Sequence, residues 1–258
     1  MNYIDTHTHL HIEQFDDDRD DVIQRATAAG VAQMITLGTD LISSRKALAI
    51  ARRYPQVFAC AGLHPSDAHL RRPDDAESIK QLAQAETKIV AIGEIGLDFY
   101  WEKEHYAAQY DVFRQMIAIA QSLELPVVIH NRAAQREMQW FFQESKIYEL
   151  NGVMHCFAGD IDDARFYLDM GLHISFTANI TYKNFDPAVV EYVPLERLMI
   201  ETDSPYISPA QFRKKRNEPE NVVFVAQRLA EIRKLSVNEA ARVTTENARR
   251  FFKLDEPA

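Results

Sequence analysis

Cysteine is scarce: the chain of 258 residues has two, Cys60 and Cys156. Both sit in apolar, strand-like runs, which argues against a disulfide framework and for a reducing compartment. A chain of this length can bury a large core without covalent cross-links. No run of about eighteen apolar residues occurs, so a spanning helix and a membrane partner are not expected. The start, Met1-Asn2-Tyr3-Ile4-Asp5, lacks the basic-then-apolar order of a secretory signal, and a cytoplasmic location is expected. No glycine-rich loop opens the first helical segment, which weakens a doubly wound nucleotide-binding sheet. Repeats, low-complexity tracts and Pro/Gly/Ser linkers are missing too, so one domain over residues 1–258 is expected, with no obligate protein partner evident.

Cationic charge is also short. Lys and Arg number 29 against 38 Asp and Glu, giving a formal net charge of −9. That argues against a protein that coats nucleic acid, but not against an enzyme that engages a few phosphates. The one concentrated basic run is Arg213-Lys214-Lys215-Arg216. A solvated loop and a phosphate contact fit it equally well.

What is present is an alternation of short apolar runs with segments of helical period. Strands are predicted at 3–6, 33–37, 57–62, 89–93, 127–130, 152–155, 173–176 and 198–201. Helices are predicted at 19–29, 41–53, 76–85, 105–123, 133–144, 161–170, 186–192, 220–234 and 236–252. In 112–123 the helical stripe is explicit, with Val112, Met116, Ile119, Ala120 and Leu123 on one face. Asp16, Asp17 and Asp18 precede the first helix, where acids favour the positive end of its dipole. Strands alternating with helices imply an α/β fold with a parallel sheet, and the length fits a single (β/α)8 TIM barrel. The longest irregular stretch, 204–219, follows the last strand and is expected to overhang the barrel mouth.

Chemistry-bearing residues recur at the carboxyl ends of these strands. His7 and His9 follow the first, spaced so that both point to one side. Glu94 ends the fourth strand, His130 the fifth, His155 the sixth and Asp203 the eighth. In a barrel those ends converge on one face. Any one of them alone reads as a cap or a satisfied polar group. Gathered together without a cation, they would leave costly unpaired polar atoms. Four imidazoles and two carboxylates exceed the needs of one tetrahedral ion, so two divalent metals are expected, with Mg, Mn and Zn as candidates. Glu94 is the natural bridging ligand and Asp203 the candidate general base.

Weaker expectations attach to neighbouring residues. His64 ends the third strand on the same face and is read as a substrate contact or a structural residue. Arg132 could hold an anionic group by charge-assisted bonds or make a surface ion pair. Asp98 could orient a ligand or cap the next segment. The run Phe99-Tyr100-Trp101 could stack a base or simply line its loop. Cys156 is read as core packing, and His11, His69, His105 and His173 as ordinary.

The motifs Asp5-Thr6-His7-Thr8-His9-Leu10, Gly62-Leu63-His64-Pro65, Gly93-Glu94-Ile95-Gly96-Leu97-Asp98, His155-Cys156-Phe157-Ala158-Gly159 and Glu201-Thr202-Asp203-Ser204-Pro205-Tyr206, with Asn217-Glu218-Pro219 after them, resemble the TatD family of metal-dependent deoxyribonucleases. The resemblance runs from the first strand to the last helices, and its motifs keep their order. It implies an amidohydrolase-like TIM barrel with a divalent metal centre, cleaving phosphodiesters of DNA, often as a 3′–5′ exonuclease on single strands. Carried over, it makes His7, His9, Glu94, His130, His155 and Asp203 metal residues. The chain departs at His130-Asn131-Arg132-Ala133, where the family commonly has Asp at the last place. No ligand is lost there, so substrate preference is affected more than hydrolysis.

The same centre could hydrolyse an amide, lactone or ester, including an aminoacyl ester on tRNA, because a fold does not fix the reaction. A scaffold that merely retains the barrel would have no need of a full ligand set.

Overall fold

Seven parallel strand pairings and one parallel bridge, Thr8 to Ser204, decide the architecture. In the computed structural model, which describes residues 1–101 and 104–255, the strands are β1 (Tyr3–Thr8), β2 (Val31–Leu37), β3 (Val57–Ala61), β4 (Ile89–Asp98), β5 (Val127–Arg132), β6 (Gly152–Met154), β7 (His173–Phe176) and β8 (Leu198–Ile200). Each pairs in parallel with the next in sequence order. Past their ends β1 and β8 meet. The Asp203 N–H donates to the His7 carbonyl at 2.8 Å and the His9 N–H to the Ser204 carbonyl at 2.8 Å. The result is a (β/α)8 barrel with its helices outside.

The helices are α1 (Arg19–Ala28), α2 (Leu41–Arg53), α3 (Asp75–Ala85), α4 (Tyr106–Ser122), α5 (Gln135–Glu144), α6 (Ile161–Asp169), α7 (Ala188–Tyr192), α8 (Val222–Arg233) and α9 (Val237–Phe252). Their starts have local causes. Asp40 and Ser43 cap α2 reciprocally, Asp160 and Asp163 do the same for α6, and the Ser236 hydroxyl accepts from Glu239 N–H at α9. The α4 stripe differs in part from expectation. Val112, Phe113, Met116, Ile117 and Ala120 are buried, while Ile119 and Leu123 lie at its half-buried edge. The acidic triplet precedes α1 as expected, with Asp18 as the N-cap residue. Asp18 makes no side-chain cap to α1, because Arg25 (3.1 Å) and Arg216 (2.7 and 2.8 Å) claim its carboxylate.

Two apolar layers result. The larger lies between sheet and helices, where Tyr167, Phe113, Phe141 and Phe142 are buried. A smaller inner core takes Ile4, Leu37, Cys60, Val128, Val153 and Met199 from successive strands, and the end of α9 adds Phe251 and Phe252. Each of those two rings contributes roughly 1.5–3 kcal/mol by leaving water, and together they close the floor beneath the site.

Two irregularities aim the functional side chains. Against β2, β1 carries an extra residue between Asp5 and Thr8; against β5, β4 carries one between Ile92 and Ile95. Such bulges redirect side chains, and His7 and Glu94 lie within them. This corrects the expectation that Glu94 ends the fourth strand. β4 resumes its ladder beyond it, with Gly96 opposite His130 and Asp98 opposite Arg132. In contrast, β6 and β8 stop short of their predicted ends, and His155 and Glu201 keep one ladder hydrogen bond each (3.0 Å to Ile129 O and 3.1 Å to Phe176 O).

Candidate metal centre

The six residues singled out from sequence meet at one point. His7 Nε2 and His9 Nε2 are 3.3 Å apart. Glu94 Oε2 is 3.4 Å from the first and 3.6 Å from the second, and Asp203 Oδ1 is 3.7 and 3.3 Å from them. Four atoms held about 2.0–2.2 Å from a tetrahedral ion would stand about 3.3–3.6 Å apart. Four of the five separations fall in that range and the fifth, 3.7 Å between His7 and Asp203, lies just beyond it. On the other side of the same carboxylate, Glu94 Oε1 lies 2.8 Å from His130 Nδ1 and 3.0 Å from His155 Nε2, which are 3.4 Å from each other. Glu94 therefore faces one cluster with each oxygen, as a bridging ligand would.

Proton placement carries the fit further. The outward nitrogen of His9, Nδ1, lies 3.1 Å from the Leu37 carbonyl; that of His155, Nδ1, 3.1 Å from Glu201 Oε1; that of His130, Nε2, 2.9 Å from Asp98 Oδ2. Each partner is an acceptor, so each neutral ring carries its hydrogen outward and turns a lone pair inward. The outward Nδ1 of His7 is buried and has no hydrogen-bond partner. Lone pairs facing a carboxylate repel it unless a cation stands among them, and this donor set suits a divalent metal.

His64 behaves differently. Ser66 N–H donates to its Nδ1 at 3.2 Å, so the neutral ring has its hydrogen on Nε2, 3.5 Å from Glu94 Oε1. Its position suits a donor rather than a ligand. Burial, reinforced by His130, lowers its basicity although Glu94 opposes them, which favours that neutral form.

The charges respond as a buried cluster should. Burial would push the Glu94 carboxyl up, but His155, His64, His7 and His130 outweigh it and hold Glu94 well below the usual carboxylate range. Burial pulls His155 down, yet Glu94 and Glu201 raise it well above its ordinary value. Asp203 is likewise held low, by His9, His7 and His155 against burial. Asp5 is pushed well up by burial, although Thr202 opposes it through N–H (2.8 Å) and hydroxyl (2.5 Å) bonds that tie β1 to the Asp203 segment.

Around this cluster the weaker expectations resolve. Asp98 takes both of its roles: one oxygen meets His130, and the other accepts from Tyr100 N–H and Trp101 N–H at 2.9 Å each. Arg132 is exposed and stacks 4.3 Å over Tyr100 and 5.4 Å over Trp101, away from the metal-facing atoms. Cys156 turns out of the strand at positive φ, its sulfur 3.5 Å from the Thr177 hydroxyl. Burial pushes its thiol up to about 12. His69 and His105 stack on each other at 4.3 Å. His11 packs 5.8 Å from the His9 ring.

Two further positions appeared in the sequence only within motifs and were given no role there. Glu201 was legible only as part of a motif, yet it orients His155 and accepts from Cys156 N–H at 2.6 Å. Asn217 is buried and donates from Nδ2 to the carbonyls of Thr202 (3.0 Å) and Ile207 (3.2 Å), fixing the segment after Asp203. Their place in the motifs was the signal; their partners, distant in sequence, were not legible.

Residues 4–253 match the family model described as TatD related DNase. The chain belongs to the TatD family. It is 40% identical over 253 residues to the metal-dependent hydrolase YabD of Bacillus subtilis, covering 97% of this chain and 99% of that one. It is 35% identical to the protein named 3′-5′ ssDNA/RNA exonuclease TatD of Salmonella typhimurium, covering 97% and 98%. Among solved structures it superposes on the TatD homologue YjjV of Escherichia coli with a TM-score of 0.92, 28% identity and 98% of each chain covered. As a TatD-family protein it is a metal-dependent hydrolase. No helix among its described residues is long and apolar enough to cross a membrane.

Proposed function

We propose that the protein is a two-metal phosphodiesterase that removes nucleotides from single-stranded DNA in the 3′–5′ direction. The observation that carries this reading is Glu94, whose two oxygens face two separate groups of inward lone pairs. His7, His9, Glu94 and Asp203 would hold one ion, and Glu94, His130 and His155 the other, with Mg, Mn or Zn as the candidates. When bound, the ions supply Lewis acidity toward water and the phosphoryl oxygens.

The remaining work belongs to the chain itself. Asp203, buried and kept ionised by His9, His7 and His155, is the group that accepts the proton of the attacking water. His64 donates from Nε2 to a non-bridging oxygen of the scissile group, since Ser66 fixes its tautomer. Glu201 and Asp98 hold His155 and His130 in orientation. Arg132, stacked on Tyr100 and Trp101, offers a planar cation to phosphate or base. The name carried by the Salmonella relative supports the polarity and the strand preference.

The test strips the protein of metal and refills it separately with Mg, Mn or Zn. Nucleotide release is then followed from single strands labelled at either end, with Glu94→Ala and Asp203→Ala beside the parent. The expected result is metal-restored release from the 3′ end that falls by about 100-fold or more in both variants. Release that is absent with every metal, while carboxylic esters are hydrolysed, would overturn the DNA reading.

A further inference from the structure

The four cations of the basic run do not share one fate. Arg216 is committed: its guanidinium bonds both oxygens of Asp18 at 2.7 and 2.8 Å, Glu218 at 2.8 Å and the Gln14 carbonyl at 2.6 Å. Arg213, Lys214 and Lys215 are exposed, and none of them pairs with a carboxylate among the described residues. They line a cleft of about 560 Å³ together with Gln14, Tyr182 and Pro205. One wall is the segment that leaves His9, since Ile12 N–H bonds the His9 carbonyl (3.2 Å). The other is the segment that leaves Asp203, since Tyr206 N–H bonds the Asp203 carbonyl (2.8 Å) and the Tyr206 ring lies 5.9 Å from the His9 ring. The cleft is therefore walled by the two segments that continue from His9 and Asp203.

Its walls are fixed in advance. Tyr182 Oη donates to the Ser208 carbonyl (2.8 Å), the Ser208 hydroxyl donates to the Lys215 carbonyl (2.5 Å), and Asn217 N–H bonds the Pro205 carbonyl (3.0 Å). Arg213 lies 5.5 Å over the Tyr182 ring, so one face combines a cation with an aromatic plane. On a chain of net charge −9, three unneutralised cations on a fixed frame are what a polyanion would find.

We infer that this cleft, formed by Gln14, Tyr182, Pro205, Arg213, Lys214 and Lys215, is a phosphate-binding subsite that holds the strand next to the scissile nucleotide of single-stranded nucleic acid. The inference rests on the nuclease reading and adds to it where the strand lies. Lys214 and Lys215 act as point charges on successive phosphates, while Arg213 and Tyr182 present a surface on which a base stacks. Arg216 is structural: its pairs with Asp18 and Glu218 hold the loop to α1.

The test uses the full-length, metal-loaded protein and a fluorescent, hydrolysis-resistant phosphorothioate single strand, with binding followed by anisotropy as salt is raised. The triple variant Arg213→Ala, Lys214→Ala, Lys215→Ala is compared with the parent, with thermal melting as the check on folding. Arg242→Ala, which removes a cation beside Met1 and Asn2, is the charge control. Each phosphate neutralised on a single strand adds about −0.7 to the slope of log affinity against log salt, so with Lys214 and Lys215 on phosphates the triple variant is expected to lose about 1.4 units of slope. Between about 50 and 200 mM salt, the parent then loses about 7-fold more affinity than the variant. The control keeps the parent's slope. An unchanged slope in a folded triple variant overturns the subsite even if the parent degrades DNA. Should the parent degrade no DNA with any metal, the nuclease reading falls by itself. A slope lost in the triple variant then still assigns the cleft to phosphates, and an unchanged slope removes it as well.

Discussion

A carboxylate ringed by imidazole lone pairs is stable only with positive charge among them, and Glu94 is in that position. Its buried side chain stands 2.8–3.6 Å from ring nitrogens of His130, His155, His7, His64 and His9. In the metal-free protein, protons must fill the role. The rings are free to turn lone pairs toward a cation because their outer nitrogens are already committed: His155 to Glu201, His130 to Asp98, His9 to the Leu37 carbonyl. Glu201→Gln replaces a charged acceptor by an amide, and metal affinity is expected to fall by about 10–100-fold. Turnover should recover at saturating metal, because Glu201 acts only through His155. Competition against a metal-binding dye measures this, and an unchanged dissociation constant would remove Glu201 from that role. The six ligand-type residues were legible because polar side chains after strands stand out against apolar runs. His64 could not be separated from them by sequence, since its tautomer depends on one backbone N–H, that of Ser66.

At the scale of elements, the strands were legible from their apolar runs, whereas the two bulges were not. A bulge changes pairing without changing hydrophobicity, so β4 read as ending at Gly93 although its ladder continues to Asp98. Helix cores were read well and their ends less so, because caps such as the Asp40–Ser43 pair depend on side-chain geometry. The loop after Asp203 read as irregular. What holds it, Asn217 below and Arg216 to Asp18 beyond, comes from contacts distant in sequence.

β7 offers a pH test of the framework. Burial, with Arg197 and Arg250 adding to it, lowers His173 at its start from 6.5 to about 4. As the pH falls below 6.5 the unfolded chain takes a proton on this ring, and the folded chain does so only near 4. Its contribution to stability is thus whole above 6.5 and lost as the pH falls toward 4. Urea unfolding of the metal-free protein should show this loss, and His173→Gln should flatten it by about 1 kcal/mol per pH unit. Equal slopes in parent and variant would mean that the ring is protonated alike in both states.

For the whole molecule, the barrel brings residues from His7 to Asp203, most of the chain apart in sequence, to one mouth. The inner core, with Phe251 and Phe252 at its floor, keeps that mouth the accessible end. The fold class was legible because alternating elements and chain length leave few alternatives. Which cations of the 213–216 run stay unpaired was not, because Asp18 and Glu218 reach Arg216 only once the chain has folded.

The most direct measurement is the metal content of the stripped and refilled protein, determined by elemental analysis beside His9→Ala, His130→Ala and Glu94→Ala. The parent should hold two ions per chain, His9→Ala and His130→Ala one each, and Glu94→Ala fewer than the parent. A parent that retains no metal, or a content untouched by all three substitutions, would contradict a bridged centre at the mouth of the barrel.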